Sequence, residues 1–288
     1  MRNDWDTEFT RSKVKMIRTL LRGAAVCTLA AFTAIGYCEE AAPEETGPFA
    51  TGNFSSTVWL TNQYMFRGIS NSDGPAVQGS LDWTYNGFFA GAWGSNTEFS
   101  DSNFEIDYYG GYRWSWSGVD LALQGIYYAY PGEDENDFEG LDPFGGIEAD
   151  YGEVNIGASH TFESQLSPTI GVNYYYSPDT FGEDGDSHTL QGSFGLTLPA
   201  EIGFYTNVGW NDTEGDKSSG FLGGYEYVYF SVGINKVLKG FKLDIGYHGT
   251  DESDSLEAFY APAAPPAFPD SFRELIEGEF VFTVSRSF

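Results

Sequence analysis

The residues best suited to chemistry in this sequence are charged side chains that alternate with apolar ones. An alternating segment is typical of a strand with one apolar face, so its charged members lie on the opposite, polar face. Inside a closed sheet, such groups either pair with one another or line water. We predict that seven of them point into a lumen, as a conducting lining or as a paired network that braces it: Asp82, Glu105, Asp107, Arg113, Lys242, Asp244 and Glu279.

One further charged residue, Arg67, lies at the outer end of the first predicted strand, beside Gly68. Its guanidinium group could hold the following loop against an inner carboxylate, or it could face permeating anions. A bidentate contact with a carboxylate is a strong, directional interaction. We therefore favour the interpretation of Arg67 as a loop anchor.

The histidines do not form a recognisable catalytic or metal-binding motif. His160, His188 and His248 are the three in the chain, and none lies in a His-Glu-x-x-His pattern. The loop segments Asp184–Asp186 and Asp251–Asp254 carry carboxylates that could bind calcium, but neither has EF-hand spacing. A Ser–His or Asp–His cluster assembled only in space stays open. We predict no catalytic residue, no metal and no cofactor, and we do not expect an enzyme.

The elements that position these residues are long alternating segments. They run about ten residues, the length that crosses hydrocarbon at a tilt of ~45°, and Tyr and Trp cluster toward their ends. Backbone polar groups in lipid must all be paired, so the sheet has to close. The predicted fold is all-β, a closed antiparallel transmembrane β-barrel, with clear alternation at 77–86, 104–117, 189–198 and 241–248.

The connections between strands alternate in length. Short turns are predicted around Asn86, Ser117, Pro199 and Lys239. If both termini are periplasmic, every long connection must lie outside. Counting Leu141–Tyr151 as a strand gives thirteen and breaks this rule, so we assign it to a loop and predict twelve strands, with fourteen as the alternative. The predicted long loops are Arg67–Pro75, Pro131–Gly152, Ser177–Ser187, Asn211–Gly224 and Asp251–Glu277.

The N-terminal segment has the pattern of a secretory signal peptide. Arg18 and Arg22 precede a short apolar run, Gly23–Ile35, which small residues follow. We predict a signal peptide over residues 1–38, with Met16 as a candidate true start. A flexible lead-in covers 39–52, and the barrel covers 53–288. Cys27 and Cys38, the two cysteines of the chain, lie in this leader, so the mature protein is expected to have no disulfide.

The C-terminal segment alternates up to an aromatic last residue. Phe280, Phe282 and Val284 share one face of this strand, and the chain ends at Phe288. This arrangement resembles the closing strand of bacterial outer-membrane barrels. The resemblance implies that these four residues form the signal that the barrel assembly machinery recognises.

The net charge is strongly negative. The leader through Cys38 holds six of the 14 Lys and Arg and three of the 42 Asp and Glu, which leaves 8 − 39 = −31 for the mature chain. Such a surface repels nucleic acid. The acidic clusters, such as Glu133–Glu135, lie in predicted loops. They are either solvated loop surface, a field that enriches cations at a pore mouth, or a bridge through divalent ions to lipopolysaccharide.

Several strings in this order resemble the TorF family of predicted porins, small Gram-negative outer-membrane proteins. The resemblance implies a β-barrel and a pore, and it transfers no substrate or active residue. The strings that carry it are Tyr64–Ser70 (YMFRGIS), Gly79–Trp83 (GSLDW), Gly87–Asn96 (GFFAGAWGSN), Glu105–Arg113 (EIDYYGGYR), Tyr127–Gly132 (YYAYPG) and Tyr176–Asp179 (YSPD).

The expected function is therefore that of a small porin in the bacterial outer membrane. We expect passive diffusion of hydrophilic solutes or ions with a preference for cations. The expected partners are outer-membrane lipid and lipopolysaccharide, the barrel assembly machinery and small hydrophilic solutes, but no nucleic acid. One alternative is a closed structural or adhesive barrel whose acidic loops are functional. A barrel enzyme is a more remote alternative.

Overall fold

The computed structural model describes residues 46–72, 74–98, 102–132, 149–182, 184–215, 224–260 and 274–288. The predicted signal peptide with Cys27 and Cys38 lies outside these residues, as does the lead-in up to residue 45. So do the Glu133–Glu135 cluster and most of the segment 141–151. In the described stretches, none of the helices has the length and apolar character required to cross a membrane.

Within the described residues, twelve strands close into an antiparallel barrel, so the prediction of twelve is confirmed and the alternative of fourteen is wrong. Each barrel strand pairs with its neighbours in sequence, and the last pairs with the first. They are β1 (Phe54–Thr61), β4 (Ala76–Tyr85), β5 (Phe88–Asn96), β6 (Phe104–Trp116), β7 (Val119–Ala129), β8 (Tyr151–Thr161), β9 (Thr169–Ser177), β10 (Ser187–Leu198), β11 (Ile202–Thr213), β12 (Tyr225–Leu238), β13 (Phe241–Thr250) and β14 (Glu279–Ser287).

The elements outside the barrel wall are few and short. Two two-residue strands, β2 (Met65–Phe66) and β3 (Ile69–Ser70), form a separate hairpin. One helix, α1 (Asp254–Tyr260), lies in the connection before β14. Two 3-10 turns cover Thr51–Asn53 and Pro199–Glu201.

The outward face of the barrel is a band of exposed apolar and aromatic side chains. Along β6, for example, Tyr108 is 53% exposed, and Tyr112 and Trp114 are exposed on the same side. A contiguous apolar surface of this extent is unfavourable in water and favourable against hydrocarbon. The apolar halves of the alternating segments therefore form a surface suited to lipid.

Two-residue turns define one rim of the barrel, which we call the turn rim. Asn86–Gly87, Ser117–Gly118 and Lys239–Gly240 have positive φ at both positions, between 49° and 89°. That is the type I′ geometry, which matches the twist of the flanking strands and favours Gly at the second position. The chain enters and leaves the barrel at this rim. The longer connections meet at the opposite rim, the loop rim.

Several boundaries differ from the sequence-based predictions. The first strand ends at Thr61 rather than near Arg67, because Tyr64–Ser70 folds back as the β2–β3 hairpin. Arg67 and Gly68 occupy its turn with φ of 48° and 82°. The sequence also gave no indication of α1, of the connection 97–103 at the loop rim or of the turn 162–168 at the turn rim.

Of the twelve described strand pairs of the barrel, the seam between the first and last strands has the fewest paired residues. β1 and β14 share five paired positions, from Thr57–Ser287 to Thr61–Thr283, whereas β10 and β11 share twelve. Ser56 and Phe288 add two backbone hydrogen bonds, 2.9 and 3.2 Å long. At the other end, the side chain of Asn62 extends the ladder: its Nδ2 donates to the carbonyl of Phe280, and its Oδ1 accepts from the N–H of Phe282.

Candidate functional site in the barrel lumen

The seven charged residues singled out in the sequence occupy inward positions of the register. Glu105 and Asp107 are each 1% exposed, and Asp82 is also buried. Lys242 and Asp244 are half-buried, while Arg113 and Glu279 are exposed. Along β6, burial is therefore greatest near the loop rim and falls toward the turn rim.

We call the half of the lumen next to the loop rim the outer half and the half next to the turn rim the inner half. Side chains in the outer half are buried because the connection after β1 folds into the lumen rather than over it. We call residues 63–72 the inner loop. The Tyr64 hydroxyl donates to Oε1 of Glu105 at 3.1 Å, and its ring lies 5.3 Å from that of Trp93 between centroids. Phe66 packs edge-on against Tyr128 at 5.8 Å. These contacts fix one side of the inner loop to β5, β6 and β7.

The tip of the inner loop is held by an ion pair with the wall. Nη1 and Nη2 of Arg67 donate to Oε1 and Oε2 of Glu153 on β8, both at 2.8 Å. Tyr128 donates a further hydrogen bond to Oε2 at 3.0 Å. Although burial lowers the pKa of Arg67, the charge of Glu153 raises it, and the net shift is well above the ordinary value. The guanidinium group is therefore permanently charged.

The other side of the inner loop contacts the opposite wall. Ile69 is buried in a cluster with two tyrosines of β12 and with two residues of the connection before β14: Tyr227, Tyr229, Leu256 and Ile276. The backbone N–H of Ser70 donates to the carbonyl of Leu275 at 2.8 Å. A Cβ on Gly68 would lie only 2.5 Å from the carbonyl oxygen of Gly249. The inner loop thus crosses the lumen from β5–β8 to β12–β13.

Two buried carboxylates lie under the inner loop without full compensation. Glu105 and Asp107 are two residues apart on β6 and share its inward face. Oε2 of Glu105 and Oδ1 of Asp107 have no hydrogen-bond partner. Burial, followed by the charges of these two carboxylates, raises the pKa of the Tyr64 phenol well above its ordinary value, so it stays protonated and serves as a donor. This side of the outer lumen is rich in carboxyl groups.

The wall formed by β9–β12 is polar but uncharged in the same layer. Asn211 donates through Nδ2 to the Thr189 hydroxyl at 2.8 Å, and Tyr229 donates to Oε1 of Gln191 at 2.9 Å. The Thr213 hydroxyl donates to Ser187 at 3.2 Å. These side chains satisfy one another across neighbouring strands. The outer lumen therefore has an acidic wall and a neutral amide and hydroxyl wall.

The inner half of the lumen carries charged groups that contact neighbouring polar and aromatic side chains. Asp82 accepts hydrogen bonds from Tyr109 and Ser80, and Asp244 accepts one from Tyr205 at 2.9 Å. The Arg113 guanidinium lies 3.9 Å from the ring centroid of Phe89.

Sequence reasoning missed Glu153, Tyr128 and Tyr175 as site residues. Glu153 could have been found from the sequence, because the polar residues Glu153 and Asn155 alternate with the apolar residues Val154 and Ile156. The prediction misses it because the first residues of β8, Tyr151 and Gly152, fall in the predicted loop Pro131–Gly152. His160 Nδ1 lies 2.8 Å from the carbonyl oxygen of Gly118, and His188 faces outward beside Tyr174. No three His, Cys, Asp or Glu side chains in the described part of the chain are placed to hold a metal ion.

The residues predicted to form an assembly signal lie on the outward face of β14. Phe280 and Phe282 are exposed there, and Val284 is half-buried. Phe288 follows the strand at the turn rim and is 67% exposed. The Arg286 guanidinium lies near the rings of Phe241 and Phe288, at 5.0 and 5.2 Å from their centroids.

A barrel of this composition matches a bacterial family over nearly its whole described length. The family, described as "Bacterial protein of unknown function (Gcw_chp)", matches residues 43–288. The chain belongs to the Gcw_chp family. A search of curated proteins found no match for this Gcw_chp chain.

Among solved structures, this Gcw_chp barrel is similar to several outer-membrane proteins. The NanC porin is 11% identical, with 81% of this chain and 98% of that chain covered and a TM-score of 0.48. OmpF of Salmonella typhi in complex with daunomycin is 7% identical, with 82% and 96% covered and a TM-score of 0.41. CdiB of Acinetobacter baumannii is 11% identical with a TM-score of 0.38, and this chain spans 61% of its length.

Proposed function

We propose that this protein is a small porin of the bacterial outer membrane that passes ions and small hydrophilic solutes, with a preference for cations. The observation that carries the proposal is the water-exposed inner half of the lumen, lined by Arg113, Lys242 and Asp244. The inner loop restricts the outer half. Passage is therefore limited to small species, or to moments when the inner loop moves.

The charge of the lumen supports the cation preference. Among the described residues of the outer layer, the carboxyl groups of Glu105, Asp107 and Glu153 share one ion-pair partner, Arg67, which binds Glu153. A low-dielectric wall lined by carboxylates raises the local concentration of cations. The mature net charge of −31 (8 − 39) adds a negative field at the loop rim.

Planar-bilayer conductance of the refolded protein tests this function. The informative variant replaces residues 63–72 by a Gly/Ser segment of equal length, and the heat-dependent shift of gel mobility verifies that both proteins are folded. We expect small or intermittent conductance in the wild type and a larger, steadier conductance in the variant. Absence of conductance in both folded proteins would rule out a porin.

A second candidate is a closed structural barrel, and a specific observation favours it. The inner loop contacts both walls through side chains and backbone, so the outer half has no evident open path among the described residues. In that case neither the wild type nor a point variant of Arg67 would conduct. A large rise in conductance when residues 63–72 are replaced would indicate a pore that the inner loop blocks. No rise would indicate a barrel that is filled throughout.

The same proposal includes the location and partners. Outer-membrane lipid and lipopolysaccharide would contact the apolar band and the acidic loops, and the barrel assembly machinery would recognise the end of β14. Removal of Phe288 should lower the amount of assembled protein, and unchanged surface levels would contradict that role. Membership in the TorF family of predicted porins is part of this proposal and rests on the sequence strings alone.

A further inference from the structure

Arg67 occupies a site with the features of a guanidinium-binding site. Its two terminal nitrogens donate in parallel to both oxygens of Glu153 at 2.8 Å. The rings of Phe66 and Tyr175 lie 4.8 and 4.7 Å from its Cζ, measured to their centroids. The bidentate contact fixes the plane of the group, and the rings cover it with cation–π contacts. This arrangement recognises a planar fork and not only a positive charge.

The barrel wall supplies most of this site, and the inner loop supplies the occupant. Glu153 and Tyr175 belong to β8 and β9, and Tyr128 of β7 orients the carboxylate with a hydrogen bond of 3.0 Å. Arg67 and Phe66 belong to the inner loop. If the inner loop withdrew, the wall would keep an oriented carboxylate beside aromatic rings. Such a site is available to any other guanidinium group that reaches it.

Two carboxyl groups without a basic partner in the described part of the chain lie beside the site even when Arg67 fills it. Asp107 faces Tyr128 in the register, next to the site, and Glu105 lies on the same face of β6. Within the described residues, neither carboxylate has a basic side chain within ion-pair distance. One oxygen of each also lacks a hydrogen-bond partner. A buried polar oxygen without a hydrogen-bond partner is unfavourable, so a second ligand with N–H donors gains hydrogen bonds when it enters this region.

We infer that the outer lumen contains a binding site for organic cations that carry a guanidinium group, and that these ligands compete with Arg67 for Glu153. The Glu105–Asp107 pair draws such a cation toward the site. Entry of the ligand from outside rests on the proposed porin function, but binding at Glu153 does not.

Chemical rescue of Arg67→Ala tests the binding site directly. The variant leaves Glu153 buried without a cation, so the midpoint of the heat-dependent gel shift should fall by roughly 5–10 °C. Millimolar guanidinium chloride should recover about half of that loss. Sodium chloride and methylammonium chloride at the same concentration should recover clearly less, because neither presents a planar fork.

Two control variants give the rescue its meaning. Arg113→Ala removes an exposed guanidinium group from the ring of Phe89. Guanidinium chloride should not raise the midpoint of the gel shift of this variant more than sodium chloride does. The double variant Arg67→Ala/Glu153→Gln lacks the carboxylate, so guanidinium should lose its advantage over sodium. Equal recovery by all three salts, or rescue that persists without Glu153, would overturn the inference. If Arg67→Ala does not fold, the same measurements are made on Arg67→Lys. Lysine keeps the positive charge but lacks the planar guanidinium group.

Hydrogen–deuterium exchange in the wild type gives a second, independent measurement. Guanidinium that competes with Arg67 should speed exchange in residues 63–72 several-fold over sodium chloride at the same concentration, while the strands exchange as before. Unchanged exchange in this segment would contradict competition. Neither experiment measures conduction. A protein that binds guanidinium but does not conduct would therefore refute the porin proposal and leave the binding site standing.

Discussion

The outer and inner halves of the lumen differ although the same strands build both. On β6 the inward residues near the loop rim, Glu105 and Asp107, are each 1% exposed. Nearer the turn rim of the same strand, Arg113 and Ser115 are exposed. The alternation is identical along the strand, so the strand itself does not cause the difference. The two ends differ because the inner loop covers Glu105 and Asp107, whereas Arg113 and Ser115 lie beyond its reach.

The side chains that face inward differ in the same way. Large aromatic residues occupy the outer half, for example Tyr128, Tyr151 and Tyr229, which are all buried. On β8–β10, the corresponding inward positions nearer the turn rim are small, for example Gly157, Gly171, Ser159 and Thr197, whereas Phe89 and Tyr205 keep aromatic rings there on other strands. Small residues leave space for water. If the protein conducts as we propose, the layer that contains the inner loop is the barrier, and the inner half is a vestibule.

The largest expected effect comes from breaking the buried ion pair of the outer half. Glu153→Gln leaves the Arg67 guanidinium in the protein interior without its counter-charge. Loss of one partner of such a pair costs about 3–5 kcal/mol. The matched change in the inner half, Asp120→Asn, affects a half-buried carboxylate that Ser115 hydrogen-bonds and should have little effect.

Urea titration of both variants in detergent, followed by tryptophan fluorescence, measures this difference. Comparable midpoints for Glu153→Gln and Asp120→Asn would mean that the outer half is no more tightly packed than the inner half.

The next effect tests the two faces of β6. Tyr108 is 53% exposed on the outward face, so Tyr108→Arg places a charge against lipid at a cost of roughly 2–4 kcal/mol. Its neighbour Asp107 faces inward, and Asp107→Asn keeps both the side-chain volume and a polar group at this position. We expect the first variant to insert poorly into bilayers and the second to fold normally.

Folding yield into lipid vesicles, read from heat-dependent gel mobility, separates these outcomes. A harmless Tyr108→Arg would show that the register of β6 is wrong. If Asp107→Asn alone prevented assembly, the carboxylate would be a brace of a filled barrel rather than part of a cation path.

Two glycines with the same backbone angle allow a finer comparison of the halves. Gly68 of the inner loop and Gly240 of a two-residue turn both have φ of +82°, a conformation that costs an L-residue about 1–2 kcal/mol. A Cβ at Gly240 meets nothing within 4 Å, whereas one at Gly68 lies 2.5 Å from the carbonyl oxygen of Gly249. Overpacking of this kind adds roughly 1–3 kcal/mol.

We therefore expect Gly68→Ala to be more destabilising than Gly240→Ala, measured by urea midpoints in detergent. Its conductance should also rise relative to wild type, because the displaced inner loop fills the lumen less well. Equal stability losses would show that the inner loop adjusts freely to the added methyl group.

The smallest expected effect is the ion selectivity. Reversal potentials under a KCl gradient should show a preference for K⁺ of a few-fold, and added salt should reduce it because the field is screened beyond about 10 Å at 0.1 M. Arg113 and Lys242 oppose the carboxylates in the inner half, so the preference is modest. Anion selectivity, or the same ratio at all salt concentrations, would contradict the cation preference.

The sequence predicted the barrel wall well, for local reasons. Alternation along residues 104–116 defines both faces of β6, and a Gly after Asn86, Ser117 or Lys239 marks a tight turn. The prediction failed where the chain leaves the wall. The sequence places residues 64–67 at the outer end of the first predicted strand, and nothing local indicates that this segment turns into the lumen.

The partners in the candidate site could not have been read from the sequence. Arg67 was predicted to anchor a loop on a carboxylate, but its contact with Glu153 joins residues 86 positions apart. Which of several inward carboxylates meets the guanidinium depends on how far the inner loop reaches across the barrel. That reach depends in turn on Ile69 packing against β12, a contact with no signature in either segment.

The short seam described for β1 and β14 has a mechanical consequence. A cylinder under load opens along its weakest line, and here five paired positions join strands that are more than 220 residues apart in sequence. Pulling on Phe288 away from the turn rim would first separate β14 from β1, which converts the cylinder into an open sheet with two edges. The remaining hairpins would then detach one after another. In a single-molecule force trace, the seam should give the first and smallest peak, ahead of the taller ones from longer ladders such as β10–β11.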